Sequence, residues 1–191
     1  MAGNSRVNSL KTKLGMGARP NKYRVLLTIP KAVGASIDGN TLDTICKGAS
    51  IPEKIMGQIE AFSQGRKIIL AGDAQFSNSW TLTFYDTENH KLRNAFTKWQ
   101  EMIDDFENHS RGIKSHNDYM AEPEVHQLST IDNKATAKYK FYNMFPVNVS
   151  NLELADETND QLGEFTVEFA FSHFIRLDTY KPYGTDANPL N

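Results

Sequence analysis

The stretch Ser50–Asp86 constrains the fold more than any other part of the chain. It contains three apolar segments with strand character: Lys54–Phe62, Lys67–Ala71 and Gln75–Tyr85. A Gly72-Asp73 turn signal precedes the third segment, whose large apolar residues fall on one face: Phe76, Trp80, Leu82 and Phe84. Period-two patterning with aromatic and β-branched residues predicts a half-buried antiparallel strand, whereas a helix needs apolar residues three and four apart. The chain therefore has a β core, and its function must be one that a sheet surface can perform.

Further strands are predicted on both sides of this stretch. They are Lys22–Ile29, Leu42–Ser50, Glu124–Thr130, Ala135–Asn143, the short Leu152–Leu154 and Glu164–Ile175. The last has the clearest alternation, and Asp132-Asn133 is a hairpin signal between two of the others. We expect Phe145–Val149 to form a corner.

One segment changes period and predicts the only convincing helix, about Asn89–Phe106. Its apolar residues lie at offsets 0, 3, 4, 7, 10, 11 and 14: Leu92, Ala95, Phe96, Trp99, Met102, Ile103 and Phe106. This is one amphipathic face, for which Asp86 or Thr87 can serve as the N-cap. We expect the helix to pack across the sheet, with Leu92, Phe96 and Trp99 covering the face of Trp80, Leu82 and Phe84.

Length and composition are those of a single domain. At 191 residues and 39% apolar content the chain can bury a core without disulfides. The segments 1–18 and 178–191 lack periodicity, so we predict flexible arms there. No window approaches the roughly 20 apolar residues of a spanning helix, and the N-terminus lacks the apolar region of a signal peptide. The single cysteine, Cys46, fits a reducing compartment.

Charge is distributed unevenly although the net charge is only −2. Residues 1–31 contain seven lysine or arginine residues and no acidic ones, and residues 147–175 contain six acidic residues and no lysine or arginine. Two solvated surfaces of opposite sign are the simpler interpretation. The alternative is head-to-tail self-association, in which one end meets the other end of a neighbour.

Catalytic and metal-binding patterns are not evident, and we predict neither an enzyme nor a cofactor. The histidines His109, His116 and His126 follow no metal-ligand spacing. Cys46 lies among small residues with no neighbour that would lower its pKa. Gly15-Met16-Gly17 lacks the strand and helix of a phosphate loop. The strand aromatics lack the basic surround of a nucleic-acid surface.

The order of segments carries a resemblance to a known family. The motifs are, in order, Arg19-Pro20-Asn21, Ile51-Pro52, Gly65-Arg66-Lys67-Ile68, Ala71-Gly72-Asp73, the Trp80 strand, the Trp99 helix, Phe145–Val149, Leu152–Leu154 and Glu164–Val167. In this order and spacing the chain resembles the tail tube proteins of contractile-tailed bacteriophages, from about Arg19 to Phe174. The segments 1–18 and 178–191 and the loop Gly34–Asn40 are longer than the family pattern.

The resemblance implies a fold, an assembly and a set of partners. The fold is a mainly β, antiparallel sandwich or barrel-like subunit with one flanking helix, which contributes strands to a β-barrel shared between subunits. Such subunits form hexameric rings that stack helically into a tube inside the tail sheath, between baseplate and tail-terminator proteins. DNA leaves the capsid through the lumen without specific binding. The protein is assembled in the host cytoplasm and becomes part of the virion tail.

The polar tip Ser63-Gln64-Gly65 is the candidate contact between stacked rings, and replacing Gly65 by proline should block polymerisation. Attraction between the basic and acidic segments should help to join subunits, so assembly should weaken with salt. Three alternatives remain open. They are a tube initiator or terminator of the baseplate or neck, a related contractile-injection tube with protein cargo, and a monomeric ligand-binding barrel.

Overall fold

The computed structural model describes residues 3–14, 17–34, 37–104, 115–152 and 162–177. The helices are α1 (Gly3–Leu14), α2 (Gly39–Ile45), α3 (Lys91–Ile103) and α4 (His116–Tyr119), with a 3-10 turn at Lys31–Val33. The strands are β1 (Tyr23–Leu26), β2 (Cys46–Ala49), β3 (Lys54–Ser63), β4 (Arg66–Phe76), β5 (Ser79–Tyr85), β6 (Glu124–Leu128), β7 (Ala135–Tyr142), β8 (Phe145–Val149), β9 (Glu164–Ala170) and β10 (His173–Arg176).

Eight of these strands form two antiparallel sheets that face each other. One four-stranded sheet has the order β1-β6-β7-β10, and the other has the order β2-β5-β9-β8. Trp80 of the second sheet stacks on Phe141 of the first, with ring centroids 4.3 Å apart. Strands β3 and β4 form a separate two-stranded sheet. The predicted mainly β, antiparallel sandwich is confirmed.

The core is built from alternate residues of neighbouring strands. In β5 and β9, Trp80 lies opposite Phe169, Leu82 opposite Val167 and Phe84 opposite Phe165. All of these side chains are buried, and the intervening residues point to the other side of the sheet. Burying each such side chain contributes about 1.5–3 kcal/mol relative to leaving it exposed. The period-two pattern of the sequence therefore produces the core directly.

Helix α3 covers one side of the sandwich with its apolar face. Phe96 lies 5.4 Å from Phe84 and 5.7 Å from Phe169, measured between ring centroids. The predicted N-cap is wrong, because the helix begins after His90, which has a positive φ of 47°. The Asp86 carboxylate instead accepts a hydrogen bond from the Thr87 N–H and lies 2.6 Å from His90 Nδ1, so it stabilises the preceding turn. Phe106 lies outside the described residues.

The predicted strand Leu42–Ser50 is only half correct. Gly39–Ile45 form α2, and the strand is confined to Cys46–Ala49. The Asp43 carboxylate of α2 accepts a hydrogen bond from the Val25 N–H at 2.8 Å and pairs with Arg24 at 3.2 Å. Since β1 is an edge strand, α2 satisfies a donor that would otherwise face water. These contacts with β1, which is not adjacent in the sequence, stabilise α2.

Two further strand predictions are corrected by the sheet topology. Phe145–Val149 is strand β8 and not a corner. A strand can contain Pro146 here because β8 lies at the edge of its sheet, where proline's missing N–H need not donate to a neighbouring strand. The predicted strand Glu164–Ile175 is two strands, interrupted at Phe171-Ser172. Strand β9 pairs with β5 and β8, and β10 pairs with β7 of the opposite sheet. The alternation of apolar residues ends at Phe171, and the polar pair Ser172-His173 is the local signal of the crossing.

Within the predicted arm 1–18, Gly3–Leu14 form α1, so only the expected lack of periodicity is wrong there. Val7, Leu10 and Leu14 lie at helical spacing along it and are each about half exposed. The polar composition of this segment conceals the periodicity. Residues 178–191, the other predicted arm, lie outside the described residues.

Candidate functional site

Strands β3 and β4 form a hairpin whose tip consists of the predicted residues Ser63, Gln64 and Gly65. Ser63 pairs with Arg66 across a two-residue turn. Gln64 has a φ of 48° and Gly65 a φ of 78°. Positive φ at both central residues is the type I′ geometry, whose twist matches that of the flanking strands. The turn therefore continues the hairpin without splaying it, and all three residues are exposed.

The hairpin is longer than its sequence predicts. Strand β4 runs through Gly72-Asp73, so the predicted turn is wrong, and the chain leaves the strand only at Ser77-Asn78. The pairing shifts between Met56 and Gln58, where Gly57 meets the Gly72-Asp73 pair in a β-bulge. A Cβ atom on Gly57 would lie 3.0 Å from the Asp73 backbone oxygen. These glycines allow two backbones to approach closely, which local composition does not distinguish from a turn.

The hairpin exposes large apolar side chains on both strands. They are Ile55, Met56, Ile59, Phe62, Ile68, Ile69 and Leu70, each between 46% and 72% exposed. In the part of the chain that the structure describes, neither outer edge of the hairpin pairs with another strand. An isolated two-stranded hairpin is marginally stable in water, and an unpaired apolar edge is a template for pairing with another chain. The hairpin is therefore the candidate assembly site.

Beyond the bulge, the two faces of the hairpin differ in chemistry. The pairs Ile59–Leu70 and Ala61–Ile68 form an apolar face that ends at Ser63 and Arg66. The pairs Gln58–Ala71, Glu60–Ile69 and Phe62–Lys67 form the opposite face, where Glu60 and Lys67 make an ion pair. We call these the apolar face and the polar face. Only the polar face carries charge in the middle of the hairpin.

The predicted helix–sheet residues lie elsewhere, in the sandwich core. Trp80, Leu82, Phe84, Leu92, Phe96 and Trp99 are each at most 3% exposed and belong to one buried cluster. The structure brings Phe84 and Phe96 together, whereas Trp80 packs on Phe141 of the opposite sheet. Trp99 donates its indole N–H to the Tyr119 carbonyl at 2.8 Å.

Sequence reasoning missed the apolar residues of the hairpin that flank the tip. The available signal was the run Ile68-Ile69-Leu70, which lacks the polar alternation of a strand with one solvated face. Such a run requires protein on both sides, and the structure shows no cover on either side within the described chain. The run Ile68-Ile69-Leu70 is therefore a candidate contact surface.

The acidic segment 147–175 is partly neutralised within the subunit, by a lysine that lies outside the basic segment 1–31. Lys47 Nζ lies 2.5 Å from Glu164 Oε1, and this hydrogen bond raises the pKa of the exposed lysine. Glu168 accepts a hydrogen bond from the Ser79 hydroxyl at 2.6 Å. The remaining acidic residues of the run lie outside the described residues: Glu153, Asp156, Glu157 and Asp160.

Reactive groups are scarce where the structure describes the chain. Burial raises the pKa of the Cys46 thiol to about 11 and that of the Tyr23 hydroxyl to about 12. The thiol is therefore covered and protonated at neutral pH. Among the described residues no cluster of three or more histidine, cysteine, aspartate or glutamate side chains could hold a metal ion. None of the helices described is long and apolar enough to cross a membrane.

Comparison with known proteins gives concordant results. The tail tube protein gp19 of Enterobacteria phage T4 is 28% identical over 157 residues, which cover 82% of this chain and 90% of that protein. The tail tube protein gp19 of Enterobacteria phage T6 matches to the same extent.

Solved structures share the fold. The tube-terminating cap of the anti-feeding prophage has a TM-score of 0.56 at 12% identity, over 83% of this chain and 89% of its own. The sheath–tube complex of an extracellular contractile injection system has a TM-score of 0.52 at 11% identity, over 88% and 96%.

The sequence model of a family described as phage tail tube protein matches residues 18–177. This range contains both sheets, the hairpin and α3, and it agrees with the resemblance predicted over about Arg19 to Phe174. The resemblance is therefore confirmed. Helix α1 precedes the matched range. The chain belongs to the phage tail tube protein family.

Proposed function

We propose that this chain, as a single tail tube domain, is the structural subunit of the inner tube of a contractile phage tail. Copies close into hexameric rings, the rings stack inside the sheath, and DNA passes through the lumen without specific binding. The role is structural and not catalytic. The observation that carries the proposal is the β3–β4 hairpin, an exposed apolar element with two unpaired edges in the described chain.

The hairpin favours ring closure because its two edges are different. One edge belongs to β3 and the other to β4, so a copy that pairs through one edge still presents the other. Contacts between unlike surfaces pass from copy to copy and close into a ring when the rotation permits. A closed sheet leaves no free edge, which removes the aggregation hazard of the isolated subunit.

The tip of the hairpin suits the contact between rings. Ser63, Gln64 and Gly65 are exposed, and the neighbouring Phe62 is 72% exposed. A polar turn beside one large aromatic residue offers both hydrogen-bonding groups and apolar area to the next ring. The tail sheath, baseplate and terminator proteins are the further partners, the subunits assemble in the host cytoplasm, and the product is part of the virion.

Negative-stain microscopy and sedimentation velocity of the purified protein test the proposal. We expect long hollow tubes from the wild type. Ile59→Asp, which places a charge on the apolar face, should give a folded subunit without tubes. The matched control is Ile131→Asp at the turn between β6 and β7, where Ile131 is 81% exposed, and it should assemble normally.

Other outcomes would favour the alternatives. A single ring that needs partners to grow would identify an initiator or terminator, and a stable monomer with an interior pocket would identify a ligand-binding barrel. Tubes that load protein and never duplex DNA would point to an injection system. Tubes from Ile59→Asp would contradict the role of the hairpin.

A further inference from the structure

The two faces of the hairpin are equally accessible in the subunit but chemically unlike. Ile68 on the apolar face is 46% exposed, and its neighbour Ile69 on the polar face is 57% exposed. The apolar face consists of Ile59, Ala61, Ile68 and Leu70, while the polar face includes Gln58, Glu60 and Lys67. In a tube wall that is a single β-sheet thick, one face of each strand points into the channel and the other points toward surrounding protein.

Two solvation effects favour the same orientation. Turning the apolar face toward a water-filled channel would leave its aliphatic side chains permanently hydrated and lose their transfer free energy. Turning the polar face toward protein would bury the Glu60–Lys67 pair, whose desolvation is costly unless every polar atom is satisfied. The opposite orientation keeps the ion pair in water and leaves only Phe62 and Ile69 of the large apolar side chains on these two faces hydrated.

We infer that the apolar face packs against an adjacent copy of this chain, and that the polar face lines the conduit. The inference rests on the proposed function, since it requires that the hairpin form part of a closed wall. A second copy is the occupant because the hairpin edges already place neighbouring copies side by side. The apolar face is then continuous with that edge contact.

The ion pair gives the polar face a second property that a DNA conduit needs. An unpaired lysine that meets a phosphate releases counterions and holds the duplex. Lys67 is instead paired with Glu60 on the same face, so the middle of the hairpin adds no net charge to the channel. Repeated around a ring, this arrangement lets a polyanion pass without being held.

The base of the hairpin is held by its own subunit, and the bulge separates it from the tip half. Phe76, the last residue of β4, packs edge-on against Phe174 of β10, with ring centroids 5.3 Å apart. The bulge at Gly57 and Gly72 lies between this anchor and the two faces. Bulges bend a strand and increase its twist, so the tip half need not continue the orientation of the base.

Thiol labelling of assembled tubes tests the inference with adjacent, matched variants. Ile68→Cys and Ile69→Cys remove the same side chain from opposite faces. Cys46 serves as a silent background because it is buried and its pKa is raised to about 11. Both variants should react rapidly with a small maleimide as dissociated subunits. In tubes, the reaction of Ile68→Cys should slow by about tenfold or to a greater extent, since interface cores exclude solvent as protein interiors do. Ile69→Cys should remain reactive.

A bulky polymer-linked maleimide identifies where the reactive face lies. It should label Ile69→Cys subunits but not intact tubes, because the conduit admits only the small reagent. If either isoleucine variant fails to form tubes, the pair Ala61→Cys and Ala71→Cys places thiols on the apolar and polar faces with a smaller change.

Each remaining outcome overturns the inference. Protection of Ile69→Cys with reactivity of Ile68→Cys would reverse the faces. Labelling of both variants in tubes would show that the hairpin is not part of the wall. Protection of both variants would show that both faces are buried between subunits. Labelling of Ile69→Cys tubes by the bulky reagent would place the polar face outside. Failure of the proposed function is recognised separately, because wild-type protein would then form no tubes before any labelling.

Discussion

Strands β5 and β9 of the sandwich and strands β3 and β4 of the hairpin both pair apolar residues directly across an antiparallel ladder. In the sandwich, Leu82 lies opposite Val167 and both are fully buried. In the hairpin, Ile59 lies opposite Leu70 and both are more than half exposed. The local chemistry is similar, and the difference is the second layer. The sandwich has an opposing sheet and α3, whereas the hairpin has no cover within the described chain.

This difference separates two tasks that apolar residues perform. Those of the sandwich stabilise the subunit, because their burial is complete before any partner arrives. Under the proposed function, those of the hairpin contribute when copies meet, because that contact removes them from water. Substitutions in the two regions should therefore change different measurements, namely the free energy of unfolding and the critical concentration for tube assembly.

The largest expected effect is in the sandwich. Trp99→Ala removes a fully buried indole and its hydrogen bond to Tyr119, so it should lower the free energy of unfolding by about 3–5 kcal/mol. Urea denaturation of the unassembled subunit measures this. The comparison variant is Phe62→Ala on the hairpin, which should change unfolding by less than about 0.5 kcal/mol. Similar losses in both variants would show that the hairpin is part of the core.

The bulge should have the next largest effect. Gly57→Ala places a Cβ atom 3.0 Å from the Asp73 backbone oxygen, an overpacking that costs about 1–3 kcal/mol. Since the strain falls on the hairpin, the critical concentration should rise about tenfold for each 1.4 kcal/mol that assembly loses. Gly48→Ala in β2 is the control, because its nearest contact would be 3.9 Å from Thr83. Equal assembly by both variants would contradict the close backbone approach at the β-bulge.

The turn should have a smaller effect. Gly65→Ala requires alanine to adopt a φ of 78°, which costs on the order of 1 kcal/mol. Gln64→Asn preserves a turn that favours Asn-Gly and is the matched control. Sedimentation should show a critical concentration raised several-fold for Gly65→Ala only. Gly65→Pro is a cruder test, because proline cannot adopt this φ and also breaks the turn.

Salt should have the smallest effect. If the basic and acidic segments help to join subunits, raising the salt concentration to 1 M shortens the screening length to about 3 Å and should weaken assembly modestly. The effect is limited because exposed pairs such as Lys47–Glu164 already form within the subunit. Sucrose at matched osmolarity is the control. Assembly that is unchanged or stronger in salt would contradict an electrostatic contribution.

Only the turn of the candidate site was predictable, because the tip carries a local signal. Gly65 between two apolar strands indicates a turn, and positive φ at Gln64 and Gly65 agrees with it. The turn predicted at Gly72-Asp73 was wrong, because the same residues also suit a β-bulge. For α2, the helical spacing of Leu42, Ile45 and Cys46 was available, but the small and apolar residues that continue to Ala49 also suit a strand.

The sequence by itself determined which residues share a face, because alternation along a strand and the spacing of Leu92, Phe96 and Trp99 depend only on backbone geometry. Only the tertiary structure decided which faces find cover, because that depends on contacts between distant segments. In the folded chain, β9 and β10 belong to different sheets and are separated at Phe171-Ser172. The run Ile68-Ile69-Leu70 stays exposed. The exposed hairpin is thus a property of the folded subunit, which the pattern of its residues did not reveal.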